Sequence, residues 1–95
     1  MSITVLVEAN LKDNGAFDAL MREILPDTRA YDGCEGLTIQ RNLDDSANIV
    51  LVEHWESRAH YEKYLKWRDE TGVLAKIGEL IDGPPKIRMY SMVGV

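Results

Sequence analysis

The stretch Glu53-His54-Trp55-Glu56-Ser57-Arg58-Ala59-His60-Tyr61-Glu62-Lys63-Tyr64-Leu65-Lys66-Trp67 holds both histidines, both tryptophans and two of the four tyrosines of a 95-residue chain. It reads as the end of a β-strand passing directly into an aromatic-rich helix. Ser57 is a good N-cap, and the helix it opens is expected to run to about Arg68. The third position after the cap is His60, so the reciprocal Glu or Gln of a capping box is absent. Rings this concentrated either fill a core or wall a pocket for a flat organic ligand.

Working outward, strand alternation puts Leu51, Glu53 and Trp55 on one face and Val50, Val52 and His54 on the other. The strand from Asn48 to Glu56 is expected to be the second arm of a hairpin. Its first arm runs from Cys34 or Glu35 to about Leu43, and Asp44-Asp45-Ser46-Ala47 makes the reversal. Upstream, the β-branched run from Ile3 to Ala9 predicts a strand. Ala16, Phe17, Leu20, Met21, Ile24 and Leu25 recur at helical spacing, with Asp13 or Asn14 as cap. Pro26 either kinks this helix or opens its final turn, and Tyr31-Asp32-Gly33 closes it. Downstream, a short helix is expected from Gly72 to Ile81, stopped by Asp82-Gly83-Pro84-Pro85, then a strand from Lys86 to Val93.

The order β-α-β-β-α-β, with an extra short helix, predicts an α+β fold of the ferredoxin-like kind with a four-stranded antiparallel sheet in one domain spanning 1–95. Helices cover one sheet face only. Ile3 to Val7 and Val50-Leu51-Val52 are apolar on both faces, so the open face is expected to be covered by the same sheet of a second subunit.

Composition bounds the rest. The chain is 45% hydrophobic and 28% charged, as in ordinary globular domains. A net charge of −5 and the lack of a Lys/Arg cluster argue against nucleic acid. Apolar runs such as Ile49–Val52 fall far short of a membrane span, and the opening residues lack a basic, then apolar, leader pattern. The single cysteine, Cys34, has no internal disulfide partner, which fits a reducing cytoplasm. As a small apolar residue opening a strand it needs no further role.

No phosphate loop, GxSxG, CxxC or HExxH motif is present. His54 and His60 are separated by the strand-to-helix change, so shared metal ligation is not expected. Glu53 is the more informative residue. A carboxylate among apolar neighbours favours its neutral form and suits a general base toward an acidic phenol or α-proton. Its structural alternative is an ion pair with Arg41, its expected hairpin neighbour, or with another inward cation. Trp55 and Tyr61 fit core packing and pocket lining equally well. Tyr64 fits pocket or interface, Trp67 interface or surface cover, and Met89, Tyr90 and Met92 core or subunit contacts. Asn10, at a strand end, also serves as a turn former.

The segment Glu53-His54-Trp55-Glu56-Ser57 running into Ala59-His60-Tyr61 resembles the signature of the antibiotic biosynthesis monooxygenase family. Asp32-Gly33-Cys34 and Gly83-Pro84-Pro85 agree with it. The resemblance implies a dimeric α+β barrel and, in its oxygenase members, chemistry without a metal or organic cofactor. In the anthrone-oxidising members a tryptophan and a tyrosine six positions later line the pocket, and Trp55 and Tyr61 match them. Their asparagine four residues before the tryptophan is Leu51 here, and a histidine that many members carry nine residues after it is Tyr64. Haem-degrading relatives share an asparagine at Asn10, but no histidine for iron follows, so haem degradation is not expected.

The resulting expectation is a cofactor-independent monooxygenase of a small quinol or polyphenol, taking dioxygen as co-substrate. Glu53, Trp55 and Tyr61 are the candidate catalytic residues. Asn10, Leu51, His54 and Tyr64 are the candidate substrate-binding residues. Two alternatives are an isomerase or tautomerase of a small oxo-compound, using the same base without oxygen, and a non-catalytic dimeric binding module.

Overall fold

The computed structural model describes residues 2–94. Its elements follow the order β1 (Ile3–Asn10), α1 (Asn14–Ala30), β2 (Cys34–Arg41), β3 (Asn48–Trp55), α2 (Arg58–Glu70), α3 (Val73–Leu80) and β4 (Lys86–Ser91). The strands form one antiparallel sheet in the order β2-β3-β1-β4. This is the ferredoxin-like arrangement read from the sequence, extra helix included.

Local chemistry fixes the ends. The Asp13 side chain caps α1 by accepting from the Ala16 amide at 3.0 Å, and Ser57 caps α2 by accepting from the His60 amide at 3.2 Å. Pro26 lies inside α1 without ending it. The β2–β3 loop is built from short polar side chains: Asn42 accepts from the Asp44 amide at 2.9 Å and Asp45 from the Ala47 amide at 3.1 Å. The Asn42 amide already bonds the Asn48 carbonyl, so β2 stops at Arg41 and not at Leu43, which is fully exposed. β4 likewise ends at Ser91, two residues short of Val93, where it faces the start of β1 at Ile3.

The hairpin register corrects one expectation. Leu37 stands opposite Glu53, and Arg41 opposite Ile49. Arg41 is therefore four residues further along β2 from Glu53 than an ion pair requires, and its guanidinium binds Asp18 at 2.9 Å. Among the described residues no cation pairs with Glu53.

The two sheet faces differ. Val5, Leu37, Ile49, Glu53 and Trp55 are buried under the helices. The other face carries Leu6, Val50 and Val52, which are half-buried with no helix over them, among exposed Thr38, Gln40, Arg88 and Tyr90. Beneath the helices the buried side chains fall into two clusters. One is built on α1, with Phe17, Met21, Leu25 and Ile49; the other joins Val5 and Trp55 to Tyr61 and Tyr64 of α2.

A buried polar clamp ties the two helices. Arg68, 4% exposed, donates from Nη2 to the Ile24 carbonyl at 2.7 Å and to Thr28 Oγ1 at 2.8 Å, and from Nε to the Tyr64 hydroxyl at 3.0 Å. Thr28 Oγ1 and the Tyr64 hydroxyl share a further bond at 2.7 Å. The guanidinium carbon lies 4.3 Å from the Trp67 ring centre, a cation–π contact that helps a charge buried without a carboxylate.

Where β2 begins, Gly33 adopts φ 89°, and a Cβ there would stand 2.5 Å from the His60 ring and Cβ. Backbone conformation and space both demand glycine. Gly33→Ala is expected to destabilise the fold by about 2 kcal/mol or more. Gly78→Ala, inside α3 with open space at its Cβ, should instead stabilise by up to about 1 kcal/mol. Chemical denaturation of both variants checks the contrast.

Candidate active site

Residues two apart on a strand share a face, and this spacing builds the centre of the site. Trp55 Nε1 donates to Glu53 Oε1 at 3.0 Å. The bond satisfies the indole N–H, which is fully buried, and one oxygen of a carboxyl that is 4% exposed. α2 then lays its rings over the pair: Tyr61 is 5.6 Å and Tyr64 4.9 Å from Trp55, centre to centre. Tyr31, after α1, closes the wall with an edge contact to Trp55 and a stacked contact to Trp67.

A cavity of about 120 Å³ lies where the two buried clusters meet. Glu53, Tyr61, Tyr64 and Leu51 line it, with apolar side chains of α1 such as Phe17 and Met21, and with Leu74 and Ile77 of α3. Glu53 is its one charged wall residue. Among the described residues the second Glu53 oxygen and the Tyr61 hydroxyl have no hydrogen-bond partner, yet neither is sealed from solvent-sized space. Both residues line the cavity.

The electrostatics follow from burial. Desolvation pushes the Glu53 pKa up to about 7, against the smaller opposing effect of the Trp55 bond. The Tyr61 hydroxyl is held well above the usual phenol range, first by burial and then by the neighbouring Glu53. Tyr61 is thus a fixed proton donor, while Glu53 divides between acid and carboxylate near neutral pH. Burial also raises the Cys34 thiol, so it stays protonated at the start of β2.

Of the residues singled out from sequence, Glu53, Tyr61, Tyr64 and Leu51 meet at the cavity, and Trp55 stands directly behind Glu53. Two are not brought there. His54 is exposed on the outer sheet face, its Nδ1 3.3 Å from Thr4 Oγ1, because its place in the strand alternation is opposite to that of Glu53. Asn10 is exposed at the end of β1, where its side-chain oxygen accepts from Asn48 Nδ2 at 3.0 Å and its carbonyl from the Asp82 amide. His60, too, lies outside, with Nδ1 2.6 Å from Ser57 Oγ and Nε2 3.8 Å from Glu56. Sequence reasoning missed Thr28 and Arg68. The one signal was the spacing of Tyr64 and Arg68, one helical turn apart on α2.

A wider groove of about 490 Å³ opens outside, between α1 and the β2 edge, but its Arg41 and Asp18 satisfy each other. Among the described residues no group of three His, Cys, Asp or Glu side chains is arranged to hold a metal ion, and no helix is long and apolar enough to cross a membrane.

The family model of the antibiotic biosynthesis monooxygenases matches residues 5–70, a span that contains Glu53, Trp55, Tyr61 and Tyr64. The chain belongs to this family. No curated protein matches it. Among solved structures, Rv0793 from Mycobacterium tuberculosis is similar over 100% of this chain and 98% of its own, at 22% identity and a TM-score of 0.85. SnoaB, a cofactor-independent oxygenase from Streptomyces nogalater, aligns over 99% of this chain and 95% of its own, with 10% identity and a TM-score of 0.85. A conserved protein from Methanosarcina mazei gives 16% identity, coverages of 95% and 91%, and a TM-score of 0.86. At these identities the likeness establishes the antibiotic biosynthesis monooxygenase fold.

The buried carboxyl has a measurable consequence. Its folded pKa of about 7 lies above the ordinary value of 4.5, so the folded state holds the proton more tightly than the unfolded chain. This contribution to stability is complete below pH 4.5 and lost as pH rises through 7, on the order of 3 kcal/mol in all. Glu53→Gln should remove it. Urea unfolding at pH 5 and pH 8 is expected to show a smaller fall for the variant than for the native protein.

Proposed function

We propose that this protein is a cofactor-independent monooxygenase of a small hydroxyarene such as a quinol, with Glu53 as the base. The observation that carries this reading is that Glu53, with one oxygen not taken by the indole, and Tyr61 line the same, otherwise largely apolar cavity. Family membership and the likeness to SnoaB support it.

The chemistry asks little of the protein. Glu53 takes the hydroxyl proton, leaving an electron-rich anion in a site that excludes water. The anion passes one electron to dioxygen, and the resulting radical pair joins at a ring carbon bearing hydrogen. The peroxide takes a proton back from Glu53. Loss of that carbon's hydrogen as a proton, with cleavage of the O–O bond, expels water and leaves a carbonyl. One phenol and one dioxygen thus give one quinone and one water. Tyr61 donates to the developing oxyanion, Trp55 fixes the Glu53 rotamer and Leu51 supplies apolar wall. Tyr64 presents its ring, because its hydroxyl is held by Thr28 and Arg68. The same base and donor suit a proton shift without oxygen, and a turnover experiment separates the two.

With hydroquinone as probe, oxygen consumption is expected to rise with pH through about 7 as Glu53 ionises. Glu53→Gln should lower it by a factor of at least 10². Trp55→Phe keeps a ring while freeing the carboxyl, and should lower kcat more than it raises KM. Conversion that continues without oxygen would assign the site to an isomerase. Binding without conversion would make it a binding module.

We further propose that the outer sheet face pairs with a second copy and that the protein works in a reducing cytoplasm, as its single free Cys34 suits. Leu6, Val50 and Val52 form the apolar centre of that face, while Tyr90 and Met92 are left 47% and 85% exposed. Val50→Lys should shift a dimer to monomer in sedimentation. A native protein that sediments as a monomer would sink the pairing.

A further inference from the structure

The walls of the inner cavity are unequal. Phe17 of α1, Ile49 of β3 and Tyr61 of α2 are each at most 2% exposed. α3 supplies Leu74 and Ile77, yet no residue of that helix is buried. Its two ends also differ. The far end is fastened to the end of β1 by the bonds Lys12 amide to Leu80 carbonyl at 2.9 Å and Asp82 amide to Asn10 carbonyl at 2.7 Å. The near end starts at Gly72, at φ 81° and with no side-chain cap, and its backbone bonds there run only to neighbours in sequence such as Asp69.

The volume sets a limit. A dry apolar cavity of roughly 150 Å³ accepts one benzene ring, while ordinary small-molecule pockets begin at roughly 300 Å³. At about 120 Å³ the inner part of this partly open cavity holds about one ring, and a second ring buried beside the first needs room that wall side chains, Leu74 and Ile77 of α3 among them, now take. The lining also constrains charge. No lysine, arginine or histidine lies among the walls, and the nearby Arg68 turns its Nε and Nη2 to Ile24, Thr28 and Tyr64. A carboxylate or phosphate on the buried part of a ligand would stay unpaired.

We propose that Leu74 and Ile77 are the specificity-determining residues of this site, restricting it to neutral, single-ring hydroxyarenes. The proposal rests on reading the cavity as the substrate site. The carboxyl and the Tyr61 hydroxyl choose the oxygen functions; α3 chooses the ring count. Because these two side chains are half-exposed, shortening them enlarges the cavity without removing a buried member of either core cluster.

Anaerobic calorimetry with hydroquinone, 1,4-dihydroxynaphthalene and 2,5-dihydroxybenzoate tests this on the native chain and on Leu74→Ala, Ile77→Ala and the milder Ile77→Val. The native protein should bind hydroquinone in preference to the two-ring diol and to the carboxylate. Ile77→Ala and Leu74→Ala should tighten two-ring binding on the order of tenfold or more, with a smaller gain for Ile77→Val and no gain for the carboxylate. An unchanged ring preference in folded variants, native preference for two rings, or no arene binding at all would each overturn the proposal. Binding is read without oxygen. Failure of the monooxygenase reading therefore shows separately, as hydroquinone bound in this order but never consuming oxygen.

Discussion

The interaction on which this structure turns is the hydrogen bond from Trp55 to Glu53. A carboxyl placed in the middle of a sheet and roofed by helices has lost its water, and a buried indole N–H has the same need from the other side. Two positions on one strand answer both at once. The bond holds only one carboxyl oxygen, so the remaining oxygen needs space. Close packing of Leu and Ile against it would leave it unpaired. The two core clusters stay separate, and the cavity lined by both holds this side chain in its wall.

Charge in the interior is sorted by the same logic. Arg68 is buried as deeply as Glu53, but the two do not neutralise each other. Arg68 turns Nε and Nη2 to Tyr64, Thr28 and the Ile24 carbonyl, and its face to Trp67. Glu53 is left with the indole alone, and desolvation raises its pKa unopposed by any cation. Had the expected Arg41 pair formed, the carboxylate would be held ionised and its basicity spent. The hairpin register, by sending Arg41 to Asp18, is what leaves Glu53 able to accept a proton near pH 7.

Element order and the faces of β3 were legible because they depend on local rules. Alternation alone places Leu51, Glu53 and Trp55 together, and Ser57 and Asp13 cap their helices as their side chains dictate. Register was not legible in the same way. The Asn42–Ala47 connection closes through side-chain bonds of Asn42 and Asp45, and a shift there changes every cross-strand partner. Asn10 sits at a strand end, where sequence does not say which way a side chain is needed, whereas His54 lies on the face opposite Glu53 that alternation assigns it. Thr28 escaped notice because its partner is forty residues away on another helix.

The division of the sheet into a working face and a bare face also bears on the cavity. β4 is an edge strand of six residues, largely exposed, and its Ile87 is both 44% exposed and a wall of the cavity. On its other side β4 turns Arg88 and Tyr90 toward the uncovered face. A strand held on one edge only, by β1, is a weak boundary for a site that must exclude water. A second copy on the outer face, as proposed above, would also steady β4 and, through Ile87, one wall of the cavity. That proposed pairing and the shape of the site would thus be linked through one edge strand, while the buried side of the cavity, at Tyr61 with Trp55 behind Glu53, needs no such support.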